Sequence, residues 1–295
     1  MKKFFVFIFA ISSGLFSFSQ SSTSYAKEIE QWTVGRYASL RDTESGWLNL
    51  TGLYWLKQGT NSFGTDAKNS IVYPKGSIVP FAGTLELNGT TVTLKAQKGV
   101  ALKANNQPIS SGVIFSVDTA NNPVLSYGTL HWTIIKREDK IGIRLRDDNS
   151  PVLTHFKGIE RFETDAAWRL TAILKEPLFP TTIPVKNVLG QTVNMKLMGK
   201  LIFTINHTIY SLDAVEEGEE LFVIFGDATN AKTTYGAGRF LYTNKPDASG
   251  KTVIDFNKAF NPPCAFTAFA TCPLPPEQNV LPVAITAGEK NFGQH

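Results

Sequence analysis

The chain has 295 residues, of which 18% are charged, and its formal net charge is only +4. Charge this weak and dispersed gives no support for a nucleic-acid-binding protein or for a protein held on an anionic membrane. The 21 phenylalanines supply ample core material, so the composition also excludes a disordered chain.

The N-terminus has the pattern of a secretory signal peptide. Lys2 and Lys3 precede an apolar run over residues 4–18, and small polar residues follow it. The run is shorter than the roughly 20 residues of a membrane span, and no later run reaches that length. We therefore predict a signal peptide over residues 1–20, export to the periplasm or medium, and no transmembrane segment in the mature chain. Loss of the two lysines changes the net charge from +4 to +2.

A single helix is predicted after the signal, within an N-terminal helical arm over residues 21–45. Apolar residues recur at roughly helical spacing between Tyr25 and Asp42, with charged residues on the other sides.

From residue 46 onward the hydrophobic period changes to two. The segments around Asn88-Gly89 and Glu138-Asp139 read as hairpins, and short strands with a turn every 8 to 12 residues are typical of an antiparallel sandwich or barrel. We predict a β-sandwich domain over residues 46–150.

A second β domain is predicted over residues 151–295. Residues 168–174 and 201–205 alternate, Asn206-His207 turns the chain, and the continuous apolar run 221–225 indicates a strand buried on both faces. Its last part contains clustered prolines and both cysteines, which disfavours regular structure. The predicted fold is thus mainly β, an antiparallel sandwich and a barrel-like domain, with an N-terminal helix and an irregular Pro/Cys-rich C-terminal wrap.

Most of the mature chain, from Gly46 to Lys290, resembles a bacterial and archaeal family known as domain of unknown function 1684. The resemblance is carried by residues 233–240 (TTYGAGRF), 255–257, 261–266, 272–276, Asn279 and 287–290, and it extends to residues 46–48 and 144–147. Membership implies no activity, because the family's name records none. The family includes members without an export signal.

The first half bears a weaker similarity to a forkhead-associated sandwich, carried by residues 59–64, 71–74, 83–87 and a turn at Asn105-Asn106. That fold binds phosphothreonine through an Arg and a Ser followed by a His. No such arrangement occurs between residues 60 and 85, so we do not expect phosphopeptide binding.

Cys264 and Cys272 allow three interpretations. In an oxidising compartment a pair this close is most simply a disulfide, which stabilises by about 2.5 kcal/mol on the chain-entropy estimate. The resemblance to members without an export signal instead suggests buried or functional thiols, with Cys264 as a nucleophile. A metal site is the third, although the spacing fits no standard zinc pattern and we predict no metal.

Polar residues of the apolar tail are the main functional lead. Either they satisfy one another, with Arg239 paired to Asp255, or they line a pocket for a small anionic molecule. In the second case Asp255 and Glu289 are candidate acids or bases. The candidate ligand-binding residues are Arg239, Tyr235, Asn257, Asn261, Arg144 and Arg146. Arg144 and Arg146 are either solvated or paired with nearby acids, or they line a cleft between the two domains.

No motif identifies a reaction or a cofactor. The sequence lacks GxSxG, HExxH, GxGxxG and P-loop motifs. We expect an exported protein that binds a small anion in the C-terminal region, with hydrolase or lyase activity as the enzymatic version. The alternative is a non-catalytic envelope protein that uses the sandwich for interaction or structure.

Overall fold

A computed structural model describes residues 16–119 and 122–293, with side chains from residue 23 onward. Most of the predicted signal peptide lies outside these residues. The predicted helix is present as α1 (Phe16–Arg41), longer than the sequence pattern indicated. A short helix, α2 (Pro151–Thr154), follows the sandwich. Within the described ranges no helix combines the length and the apolar character needed to cross a bilayer.

The first half folds into two sheets that share one core, and their strands pair antiparallel except for the parallel pair β2–β3. Its strands are β1 (Leu50–Trp55), β2 (Gly59–Gly64), β3 (Ile71–Val72), β4 (Gly83–Asn88), β5 (Thr91–Ala96), β6 (Lys103–Ala104), β7 (Gln107–Pro108), β8 (Ser111–Ser116), β9 (Leu125–Tyr127), β10 (Leu130–Arg137) and β11 (Lys140–Asp147). One sheet has the order β1-β11-β10-β9-β6-β7 and the other β3-β2-β4-β5-β8. Trp132, Tyr73 and Phe63 fill the space between them, which gives the predicted sandwich.

The second half forms a nearly closed barrel. Its strands are β12 (Arg169–Lys175), β13 (Thr181–Lys186), β14 (Thr192–Ile205), β15 (Thr208–Glu217), β16 (Glu220–Phe225), β17 (Arg239–Asn244) and β18 (Lys251–Asp255). They follow the order β17-β16-β15-β14-β12-β18, with β13 paired to β14. The run 221–225 is buried throughout, as its continuous apolar character predicts.

Turn chemistry explains the hairpins that the sequence predicted. Asn206 and His207 both have positive φ (47° and 65°), as a two-residue type I′ turn requires. In the β4–β5 hairpin, Leu85 pairs with Leu94 and Leu87 with Val92, as expected. Asn88, however, belongs to the strand, so the turn lies one residue later than Asn88-Gly89.

The barrel closes through side chains. β17 and β18 flank its seam, and the hydroxyls of Thr243 and Thr252 bridge the two strands. The Thr243 hydroxyl donates to the carbonyl oxygen of Val253 (2.6 Å), and that of Thr252 donates to the carbonyl oxygen of Asn244 (2.8 Å). Helix α1 lies over the outside of this seam, because Tyr25 contacts Asp255 and Trp32 packs against Phe260.

The tail is irregular and packed, as predicted. It contains 3₁₀ turns at Pro263–Ala265 and Glu277–Asn279 and is joined by a disulfide between Cys264 and Cys272. The loop within the disulfide contacts the sandwich, since the Thr267 hydroxyl donates to the carbonyl oxygen of Leu50 (2.9 Å). The disulfide interpretation of the cysteines is therefore confirmed.

Opening the disulfide should destabilise the folded protein measurably. A Cys264→Ser/Cys272→Ser variant is expected to lose about 2.5 kcal/mol of unfolding free energy, because a small irregular loop is no longer closed in the unfolded state. Urea unfolding of the variant and the native protein measures the difference. Mass analysis after alkylation of the unreduced, unfolded native protein should find no modified cysteine, and two modified cysteines would contradict the assignment.

Candidate functional site

A groove runs along one side of α1, above the barrel seam. It consists of two adjoining clefts of about 250 and 560 Å³. Both are lined by Trp32 from the helix, Tyr242 from β17 and Phe260 from the tail, so they form one continuous depression. The smaller cleft is polar and the larger one is aromatic.

The floor of the aromatic end is a stack of four planar groups. Tyr242 lies between Phe222 and Phe260, with ring centroids 4.9 and 5.7 Å apart and the planes within 27° and 20°. The Arg36 guanidinium covers Phe260, with its central carbon 4.5 Å from the ring centroid. The stack thus joins α1 and the irregular tail to strands β16 and β17 through planar contacts.

Arg36 is held from behind by the tail. Its Nε donates to Glu289 Oε1 (3.2 Å) and its Nη2 donates to the carbonyl oxygen of Asn261 (2.9 Å). Glu289 is fully buried, and its other oxygen accepts from the Asn261 backbone amide (2.7 Å). Among the described residues Nη1 of Arg36 has no hydrogen-bond partner, and Arg36 lines the larger cleft. A positively charged edge is therefore left for an anion.

Asp255 lies at the polar end. It is 5% exposed, and both of its carboxylate oxygens accept from the Tyr25 hydroxyl (2.8 and 2.9 Å). The Asn257 backbone amide adds a further donor at 3.1 Å. Burial and the Asp255 carboxylate raise the pKa of Tyr25, so the phenol remains protonated and donates.

Beside Asp255, a clamp of charges joins helix and barrel. Glu28 accepts from Lys258 (2.7 Å) and Arg169 (2.9 Å). The hydrogen bond from Lys258 is the main cause of a lowered Glu28 pKa. The clamp is largely solvated, so it orients α1 more than it stabilises the fold.

Gly35 faces the aromatic end from the helix. A Cβ built on it meets no atom within 4 Å, and its φ is not positive. Glycine costs about 1 kcal/mol relative to alanine inside a helix. Here its effect is to keep the groove open.

Arg239 is not part of the groove. It is 0% exposed and pairs with Asp227 (2.9 Å), not with Asp255 as the sequence suggested. Its remaining bonds go to tail carbonyls, those of Ile285 (3.0 Å), Ala287 (2.5 Å) and Glu289 (3.3 Å). The side chain therefore holds the tail onto the barrel.

The other predicted residues separate into different places. Tyr235 lines a small cleft of about 270 Å³ in its own loop, and Asn257 bonds Tyr25 and the backbone of Asp165. Asn261 and Glu289 are interior residues behind Arg36. These residues form two contact groups, Arg239 with Glu289 and Asn261, and Asp255 with Asn257. Asp255 is the member of this set that lines the groove.

Arg146 and Cys264 also have structural places. Arg146 is buried and donates to Gly46 and to Asn49 Oδ1 (2.8 Å), so the interpretation of both β11 arginines as solvated is wrong. Arg144 is half-buried against Trp47. Cys264 is bonded to Cys272 in the disulfide. It therefore has no thiolate and cannot act as the predicted nucleophile.

Sequence reasoning missed the helix side of the groove. Tyr25, Glu28, Trp32 and Arg36 follow one another at intervals of three and four residues, which places them on one helix face. This spacing of polar and aromatic residues is present in the sequence and could have predicted a functional face on the helix. Within the described residues no group of three His, Cys, Asp or Glu side chains is placed to hold a metal ion.

Comparison with known proteins finds a family similarity in the second half of the chain. Residues 154–290 match the model of a protein family of unknown function, DUF1684. The match begins after the sandwich, so residues 46–48 and 144–147, which also carried the resemblance, lie outside the DUF1684 region.

Solved structures show partial similarity. An uncharacterised protein of Haloarcula marismortui is 29% identical, with a TM-score of 0.41, over 48% of this chain and 80% of that chain. A phosphothreonine-dependent FHA domain and the FhaA FHA domain are each 15% identical with a TM-score of 0.23. They cover 32% of this chain and 92% and 97% of theirs. No curated protein matches the sequence.

The position of Arg239 predicts a large stability loss on substitution. Arg239→Met should lower the unfolding free energy by about 3–5 kcal/mol, because it leaves the Asp227 carboxylate buried without its partner. Urea unfolding measures it. Lys196→Met, which breaks the exposed pair with Glu216, is the matched control and should change stability by less than about 1 kcal/mol. An equally small loss for Arg239→Met would contradict the assignment.

Proposed function

We propose that this protein is exported and binds a small anionic molecule with an apolar or aromatic body in the groove between α1 and the barrel. The observation that carries the proposal is the Arg36 guanidinium. It lies on an aromatic stack, is held by a buried carboxylate, and lines a cleft of about 560 Å³. In the part of the chain that the structure describes, its Nη1 has no hydrogen-bond partner.

The two parts of the site match the two parts of such a ligand. The aromatic walls bury an apolar body, and a fixed guanidinium forms charge-assisted hydrogen bonds to a carboxylate, sulfonate or phosphate. Glu289 and the Asn261 carbonyl already hold Arg36 in place, so little side-chain entropy is lost when an anion binds.

Gly35 offers a test that separates binding from folding. The aromatic anion anilinonaphthalene sulfonate serves as the probe, and its fluorescence titration gives the affinity. Gly35→Phe should abolish saturable binding by filling the groove, while helix propensity raises stability slightly, by about 0.5 kcal/mol. Gly35→Ala is the matched control and should bind as the native protein does.

A neutral analogue tests the role of the charge. The uncharged probe phenylnaphthylamine should bind about tenfold more weakly than the sulfonate if Arg36 receives the anion. Equal affinity for the two probes, or unchanged binding by Gly35→Phe, would reject the proposal.

A hydrolase or lyase reaction is the second candidate. It is favoured by Asp255, a nearly buried carboxylate that lines the polar end and carries the Tyr25 hydroxyl as a proton donor. Hydrolysis of nitrophenyl acetate should then depend on Asp255, and Asp255→Asn should remove it without weakening the sulfonate probe. Activity retained by that variant would exclude Asp255 as the acid or base.

Export has its own test. Because Lys2, Lys3 and the apolar run form a signal pattern, the mature protein is expected in the periplasmic or extracellular fraction with its N-terminus near residue 20. N-terminal sequencing after cell fractionation decides it. An intact Met1 in the cytoplasmic fraction would contradict the proposal.

A further inference from the structure

A second cleft lies where the sandwich meets the barrel. It has a volume of about 400 Å³ and is lined on the sandwich side by Trp55, Lys136, Arg137 and Glu138. The barrel side consists of Val185, Asn187, Gln191, Val193 and Met195, and the tail adds Thr271 and Pro273. One wall is therefore cationic and the other largely apolar.

The cationic wall belongs to the outer face of the β10–β11 hairpin. Arg137 and Lys140 are paired directly across the two strands, so their side chains share a face. Gly142 is on the same face, two residues after Lys140, and its missing side chain lets the Trp55 ring lie against the sheet. The Lys140 ammonium is 5.9 Å from the centre of that ring.

These cations are not neutralised by their neighbours. Among the described residues, Lys136, Arg137, Lys140 and Arg144 form no salt bridge, although Glu138 and Asp139 lie in the turn between the strands. Arg144 continues the face, and its Nε is buried without a hydrogen-bond partner. Burial and the charge of Arg137 lower the pKa of Arg144. Positive potential thus accumulates on one wall of a cleft.

We propose that this cleft is a second binding site, for a phosphorylated small molecule with an apolar body. Arg137, which lines the cleft, and Lys140, which lies beside it on the same sheet face just outside the lining, bind the phosphate, because two adjacent cations match a group that carries more than one negative charge. Val185, Val193 and Met195 contact the apolar body from the opposite side. Since the two walls come from different halves of the chain, the ligand bridges the sandwich and the DUF1684 region.

Phenyl phosphate is the probe for this site, titrated into the full mature protein by calorimetry. It should bind more tightly than inorganic phosphate, which lacks the apolar body, and phenol should not bind. Arg137→Gln/Lys140→Gln should weaken phenyl phosphate binding by at least about tenfold. Lys95→Gln/Lys98→Gln removes the same net charge from exposed sandwich positions and is the matched control.

The barrel wall is tested separately. Val193→Glu places a carboxylate opposite the cations and should abolish binding of phenyl phosphate. Ile173→Glu, a similarly exposed barrel position outside this cleft and outside the groove, should not. Because the groove also accepts an aromatic phosphate, these titrations are made in the Gly35→Phe background, where the groove is filled, so failure of the groove and failure of this site can be told apart.

Three results would overturn the proposal. Native protein that does not bind phenyl phosphate excludes the site. Equal losses in the two glutamine pairs would show a long-range charge effect instead of a site. Unchanged binding by Val193→Glu would place the ligand away from the domain junction. Melting temperatures close to the native value confirm that the variants are folded.

Discussion

The buried pair of Arg239 and Asp227 holds the C-terminal half of the molecule together. A segment without regular structure has no ladder partners for its backbone groups, and burying them unpaired would be costly. Arg239 supplies such partners by donating to the carbonyl oxygens of Ile285, Ala287 and Glu289. Asp227 accepts a hydrogen bond from the backbone amide of Ile285. Asn279 fixes an earlier part of the tail, because its side-chain amide donates to the carbonyl oxygens of Asp213 and Ile224 in the barrel strands.

Fixing the tail in this way determines the groove. The tail places Glu289 in the interior, Glu289 holds Arg36, and Arg36 lies on Phe260, which is itself a tail residue. The helix, the tail and β17 therefore meet through a few polar contacts around an aromatic stack. The buried Glu289 carboxylate is thus linked to the groove by one chain of contacts, in which Arg36 and Phe260 line the groove.

Much of the fold could be predicted from the sequence, because strands and turns are local signals. Alternation places Leu85, Leu87, Val92 and Leu94 on one face, and Asn206-His207 can adopt the positive φ that the turn needs. The site could not be predicted to the same extent. Arg36 and Glu289 are 253 residues apart, and no periodicity relates them. The predicted partner of Arg239 was wrong for the same reason. Asp227 and Asp255 are both aspartates, and only the fold shows which of them Arg239 contacts.

The seam between β17 and β18, bridged by Thr243 and Thr252, is a weak point at which the barrel wall could widen. Along most of the wall, widening would break a row of backbone hydrogen bonds between neighbouring strands. Between β17 and β18 it would break only the hydroxyl contacts of Thr243 and Thr252. Because α1 rests across that line through Tyr25 and Trp32, widening of the seam would also strain the contacts of the helix with Asp255 and Phe260.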